Sequence, residues 1–197
     1  MQTKSPPRMQ VVKCDDKQEK LISFIEEHLE RRMSAGDFST KEEIQIVALS
    51  AFSPVVHAIQ HFVDREEMQG VKIRLIVADT SSDEFLKQLS AFQSISVRWA
   101  QNIRLLDAHE QLVLSDSCCW TGDCMRREPS KRDAYECFAD HCEDTARWAR
   151  ISFERLWSVS LPLMGEDEAA ETDITKAGEV IATAETNSDN NTVGTLH

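Results

Sequence analysis

The sequence predicts an α/β fold, with a mixed, mostly parallel sheet flanked by helices. Three observations carry that expectation. Runs of β-branched and apolar residues at 44–49, 71–77 and 95–99 alternate with longer stretches whose apolar residues recur every three or four positions. That order of strand, helix, strand, helix, strand favours right-handed crossovers and hence parallel neighbours. Two further strand-like segments, 103–106 and 110–115, follow each other with no helical stretch between them, so the sheet becomes mixed.

Element by element, residues 1–17 are polar, carry Pro6 beside Pro7, and read as a flexible lead-in. Leu21, Phe24, Ile25 and Leu29, opposite Glu26, Glu27, Arg31 and Arg32, predict an amphipathic helix closing near Gly36. Ser53 and Pro54 open a second helix, with proline in the first turn where its missing N–H costs nothing. That helix turns Val55, Val56, Ile59, Phe62 and Val63 inward and stops at Gly70. Ser82 caps another through Phe85, Leu86, Leu89 and Phe92. A polar stretch at 123–133 precedes a short strand at 134–138. A closing helix over 143–161 buries Ala146, Ala149, Phe153, Leu156 and Trp157. The folded domain is therefore expected over 18–163, and residues 164–197, rich in Glu, Asp, Thr, Ala and Asn, read as a disordered acidic tail.

Charge narrows the function classes. The 197 residues carry 34 acidic and 22 basic side chains, a formal net charge of −12. Residues 165–197 hold eight of the acids and a single lysine. An acidic chain lacks the basic footprint of a general nucleic-acid binder. No apolar run approaches the ~18–20 residues of a membrane span, and the first residues lack a signal peptide's apolar region. The six cysteines, Cys14, Cys118, Cys119, Cys124, Cys137 and Cys142, are accordingly expected as reduced thiols of a cytoplasmic protein. Cys119 and Cys124, or Cys137 and His141, only approximate zinc-ligand spacing, and no metal is assigned to them. His57 and His61 share a helix face, but no third ligand is adjacent in sequence.

One segment carries chemistry. His109 stands at the entry to a strand, Gln111 follows two residues on, and Asp116 five further. Here the chain resembles the phospholipase D superfamily, whose signature is His-x-Lys, four residues, then Asp. Gln111 occupies the lysine position. The flanking order of strand, capped helix, strand ending in Asp79, helix and motif is also similar, as is the ending Phe153-Glu154-Arg155-Leu156-Trp157. The resemblance spans about residues 20–160.

The resemblance implies that His109 attacks phosphorus to form a phosphohistidine and that Asp116 orients the imidazole. A second histidine would protonate the leaving oxygen, so a one-motif chain needs a homodimer across a twofold axis. The departures argue against full activity. Gln111 brings no charge to a phosphate. Where the family has Gly-Ser-x-Asn, this chain has Gly122-Asp123-Cys124-Met125, which sets an acid where phosphate oxygens approach. Losing one electrostatic contributor costs ~10²–10³ in rate. The expected function is a catalytically impaired binding or regulatory module, with an active phosphodiesterase or nuclease as the alternative. Ligand-binding residues are expected to be Gln111, Asp123, Arg126 and Arg127, the last two in a basic stretch that also reads as a plain charged loop. The partners expected are a second copy, a phosphate-containing ligand, or a protein drawn to the acidic tail. No cofactor is expected.

Overall fold

The structure, a computed structural model, describes residues 6–36, 43–81, 89, 92, 94–101, 108–124 and 134–164. Within them, an eight-stranded mixed sheet runs in the order β1-β7-β6-β5-β2-β3-β4-β8. The strands are β1 (Arg8–Val12), β2 (Glu43–Ser50), β3 (Lys72–Asp79), β4 (Ile95–Trp99), β5 (His109–Val113), β6 (Cys119–Cys124), β7 (Ala134–Ala139) and β8 (Leu161–Met164). Three helices flank it: α1 (Lys17–Ala35), α2 (Pro54–Gln60) and α3 (Glu143–Ser158).

Strand alternation divides the core. Ile44, Ile46 and Ala48 of β2 join Ile73, Leu75 and Val77 of β3 beneath α1 and α2, which supply Leu21, Phe24, Ile25, Val55, Val56 and Ile59. On the other face, Val47 and Ile76 pack under Phe153, Leu156 and Trp157 of α3, and Val113, Cys119 and Ala139 pack under Ala146 and Ala149. A left-handed Gly36 closes α1.

The α/β class and the mixed sheet are as expected, but parallel pairing is confined to β2-β3-β4, two pairings of seven. The link from β5 to β6 is only residues 114–118, too short for the crossover a parallel pair requires. Residues 8–17, expected as part of a flexible lead-in, instead form β1 against β7, a 3-10 turn over Cys14–Asp16 and the start of α1. Val12, buried in the core, pins that segment.

The second helix stops at Gln60 rather than near Gly70. Phe62 and Val63 donate to Ile59 and Gln60, three residues back, and these tight turns drop Phe62 fully into the core. The stretch Cys119–Cys124, where no strand was expected, is the strand β6. The chain also continues past Pro162 into β8, an edge strand where a missing N–H is tolerated. The helix expected from Ser82, the strand at 103–106 and the tail beyond 164 lie outside the described residues. Among the described residues, no helix is long and apolar enough to cross a membrane.

Candidate functional site around His109

β5 places its residues by simple alternation. His109, Gln111 and Val113 face the α3 side, whereas Glu110 and Leu112 face α1. Because β5 runs antiparallel to β2, with Gln111 opposite Val47 and Val113 opposite Gln45, its first residue lies towards the carboxyl ends of the parallel strands β2 and β3. That is the end at which open α/β sheets take ligands.

His109 is exposed, and its Nδ1 lies 3.1 Å from the carbonyl oxygen of Gly122. A carbonyl only accepts, so Nδ1 carries a proton, and this bond selects the tautomer whose lone pair is on Nε2. A bulge in β6 makes this bond available. Between the pairs His109–Cys124 and Gln111–Thr121, β6 uses one residue more than β5. Glycine is required at 122, because a Cβ there would fall 2.4 and 2.5 Å from ring carbons of Trp120.

Gln111 shares the face of His109 but not its exposure. Its buried amide donates from Nε2 to the Ala149 carbonyl of α3 at 3.0 Å. Asp116 lies elsewhere: four strand steps separate His109 from Val113, roughly 13 Å at 3.3 Å per residue, and Asp116 lies beyond the end of β5. There it forms an ion pair with Arg150 of α3. Within the chain Asp116 thus stands apart from the imidazole it was expected to orient, and Nδ1 of His109 meets the Gly122 carbonyl instead. Asp123 is a backbone position of β6. Its side chain, and residues 125–133 with Arg126 and Arg127, lie outside the described residues.

Two features escaped the sequence reading. Behind His109, on the α1 face, Lys17 Nζ lies 2.9 Å from Glu110 Oε2 and 3.1 Å from Glu136 Oε1. Trp120 donates its indole N–H to the other Glu136 oxygen at 3.0 Å, and the lysine stands 5.1 Å from the Trp120 ring centroid. Burial opposes the Lys17 charge, but Glu110 and then Glu136 outweigh it and raise its pKa. Burial likewise raises that of Glu136, against the pull of Lys17. The available signal was Glu110 itself, an acid at a core-facing strand position, which requires a buried cation.

The second feature is a bare shelf beside the imidazole. Thr121 pairs with Cys137 and Cys137 with Met9, so Tyr135 and its neighbour Val11 occupy the next level on the face of His109. Met9, Val11 and Tyr135 are 64%, 51% and 73% exposed. Arg150 and Glu154 of α3 are tied to Asp116 and Arg74 at the far end of the strands. At 100° per residue, the exposed Trp148 therefore occupies the helix flank nearer the shelf.

Cys118 and Cys119 are buried, and burial pushes both thiols well above the usual range. Among the described residues, no group of three or more His, Cys, Asp or Glu side chains is placed to hold a metal ion.

No family model matches the sequence, and no curated protein matches it. Solved structures do. The chain is similar to Nuc from Salmonella typhimurium, a phospholipase D family member, at 13% identity and a TM-score of 0.55, over 80% of this chain and 99% of that one. It is similar to NucT from Helicobacter pylori at 13% identity and a TM-score of 0.52, with the same coverage. With this strand order and these neighbours, the chain has the α/β fold of the phospholipase D superfamily.

Proposed function

We propose that this is a phospholipase D-like domain whose phosphodiesterase apparatus is impaired, and that it acts as a binding or regulatory module for a phosphate-containing ligand. The observation that carries this reading is Gln111. The motif's cation position holds a neutral amide, and that amide is committed to the Ala149 carbonyl. It gives a phosphate no charge and has already spent one of its two N–H donors, and charge-assisted bonds are roughly twice as strong as neutral ones. The module works as a homodimer, with the shelf of Met9, Val11, Tyr135 and Trp148 as the apolar surface available for the partner. The free thiols among the described cysteines suit a cytoplasmic setting.

A second reading, an active phosphodiesterase or nuclease, rests on the imidazole. With Nδ1–H anchored on Gly122, the neutral tautomer that this bond selects carries its lone pair on Nε2, the atom a nucleophile would use. In that reading His109 attacks phosphorus, its mate in the dimer protonates the leaving oxygen, and water later cleaves the phosphohistidine.

One experiment separates the two. Purified full-length protein and His109→Ala are assayed on bis(p-nitrophenyl) phosphate and single-stranded DNA, and thermal unfolding is followed with inorganic phosphate and with a short oligonucleotide. An impaired module gives no turnover but ligand-dependent stabilisation that His109→Ala weakens, about 2.7 kcal/mol for wild type at a hundred times Kd. Turnover lost in His109→Ala establishes the enzyme reading. Neither turnover nor stabilisation overturns both.

A further inference from the structure

Every strand around the imidazole is tied to one buried ammonium. β5 reaches Lys17 through Glu110, the residue after His109, at 2.9 Å; β7 reaches it through Glu136 at 3.1 Å. β6 reaches it twice. The Trp120 ring lies beneath the lysine, and a Cβ built on Gly122 would stand 3.4 Å from Nζ. Gly122 is the residue whose carbonyl holds His109. The other Glu110 oxygen lies 3.4 Å from the backbone nitrogen of Leu49, which adds β2 to the same tie.

Packing transmits this arrangement to the imidazole. Trp120 is fully buried and fixed at its indole N–H by Glu136, so it cannot swing from beneath Gly122. The bulge rests on that ring, and the bulge sets where the Gly122 carbonyl points. Apolar residues of equal volume would stabilise such a region as well as a buried ion cluster does, and what buried charges add, where they add anything, is a unique geometry. We propose that Lys17 is a positioning residue for His109: by clamping β5, β6 and β7 from behind, it holds the Gly122 carbonyl on Nδ1 and keeps Nε2 facing outward. This rests on the reading of His109 as the working group of the site.

The test reads the imidazole directly and needs neither ligand nor turnover. Nitrogen-15 shifts of the histidine side chains, with His109 assigned by its loss in His109→Ala, give the ratio of the two neutral tautomers. In wild type the Nδ1–H form dominates. Loss of a hydrogen bond worth about 1 kcal/mol corresponds to roughly a fivefold fall in that ratio, and this is the fall expected in Lys17→Met. Lys17→Arg, which retains the charge, restores most of it. Glu136→Gln cuts one tie with little change of volume and gives a smaller fall, and it serves as the readout if Lys17→Met does not fold. A folded Lys17→Met with the wild-type ratio overturns the proposal. So does an unchanged ratio in Glu136→Gln if that is the only variant that folds. Because hydrolysis and ligand binding are not measured, failure here leaves the proposed function standing, and failure of that function leaves this result readable.

Discussion

Replacing Lys17 by Met tests the buried cluster as a matter of stability. The ammonium and its two carboxylates are 9%, 6% and 0% exposed. Removing one partner from a buried ion pair costs about 3–5 kcal/mol, because the charge left behind cannot recover its hydration. Here two carboxylates are left, so the upper part of that range is expected, a large fraction of the 5–15 kcal/mol typical of a domain. The pH dependence follows from linkage. Burial already raises the Glu136 carboxyl pKa, with Lys17 the largest opposing influence. Without the lysine it rises further, so in the window above the ordinary carboxyl value the folded variant binds more protons than the unfolded chain. Stability then falls as pH rises through that window. The penalty is therefore smallest near pH 5 and largest near pH 8. In wild type, Lys17 stays charged throughout this range, since its raised pKa places any loss above pH 10.5. Urea unfolding followed by tryptophan fluorescence at pH 5, 6.5 and 8 measures both effects, provided the m-value is unchanged. A penalty below about 1 kcal/mol, or an equal penalty at pH 5 and pH 8, would refute the reasoning.

Other groups yield sharper, smaller tests. Burial, reinforced by Arg32 and Arg31, lowers the His28 pKa from 6.5 to about 4. The unfolded chain then takes up a proton that the folded one refuses, so stability is lost as pH falls from 6.5 towards 4, on the order of 3 kcal/mol at 1.36 kcal/mol per unit. His28→Gln should flatten that part of the stability profile, and an unaltered slope counts against it. Asp116→Asn breaks an exposed ion pair with Arg150 and should cost no more than about 1 kcal/mol; the His109 tautomer ratio should not move, and a shift would return Asp116 to the site. Gln111→Met removes the bond to Ala149 and should cost about 0.5–1.5 kcal/mol by urea titration, with phosphate-dependent stabilisation retained. Loss of that stabilisation in a folded Gln111→Met would show that the amide serves the ligand.

Much of the fold could be read because its parallel part, β2-β3-β4, obeys local rules. β2 and β3 are rich in Ile, Val and Leu, and the apolar stripes of α1 and α3 stand where their periodicity puts them. β1 was missed because Arg-Met-Gln-Val-Val is half polar and acquires its partner, β7, more than a hundred residues later. β6 was missed because Cys-Trp-Thr-Gly-Asp-Cys combines a turn-like Gly-Asp with no alternation, and the bulge explains both. The site was half legible. His109 and Gln111 were singled out by the resemblance, but the partner of His109 is a carbonyl, which has no sequence signature, and the cluster behind it joins residues 17, 110 and 136.

The position of α3 explains why Gln111 differs from its neighbour. Along one face of β5, exposure falls from the open His109, through the nearly covered Gln111, to the fully buried Val113. Two residues apart on a strand means the same face, and the motif presumes that the same face means the same solvent. In this chain it does not. The helix edge crosses β5 between the two, so position 111 belongs to the packing of α3 and position 109 to the surface. A lysine at 111 would meet the Ala149 carbonyl in a dry interface, where desolvation disfavours its charge. Restoring the motif's lettering would thus not restore its electrostatics unless α3 also moved. What position 111 can hold is set by how the helix is seated, and the glutamine is the residue that suits that seating.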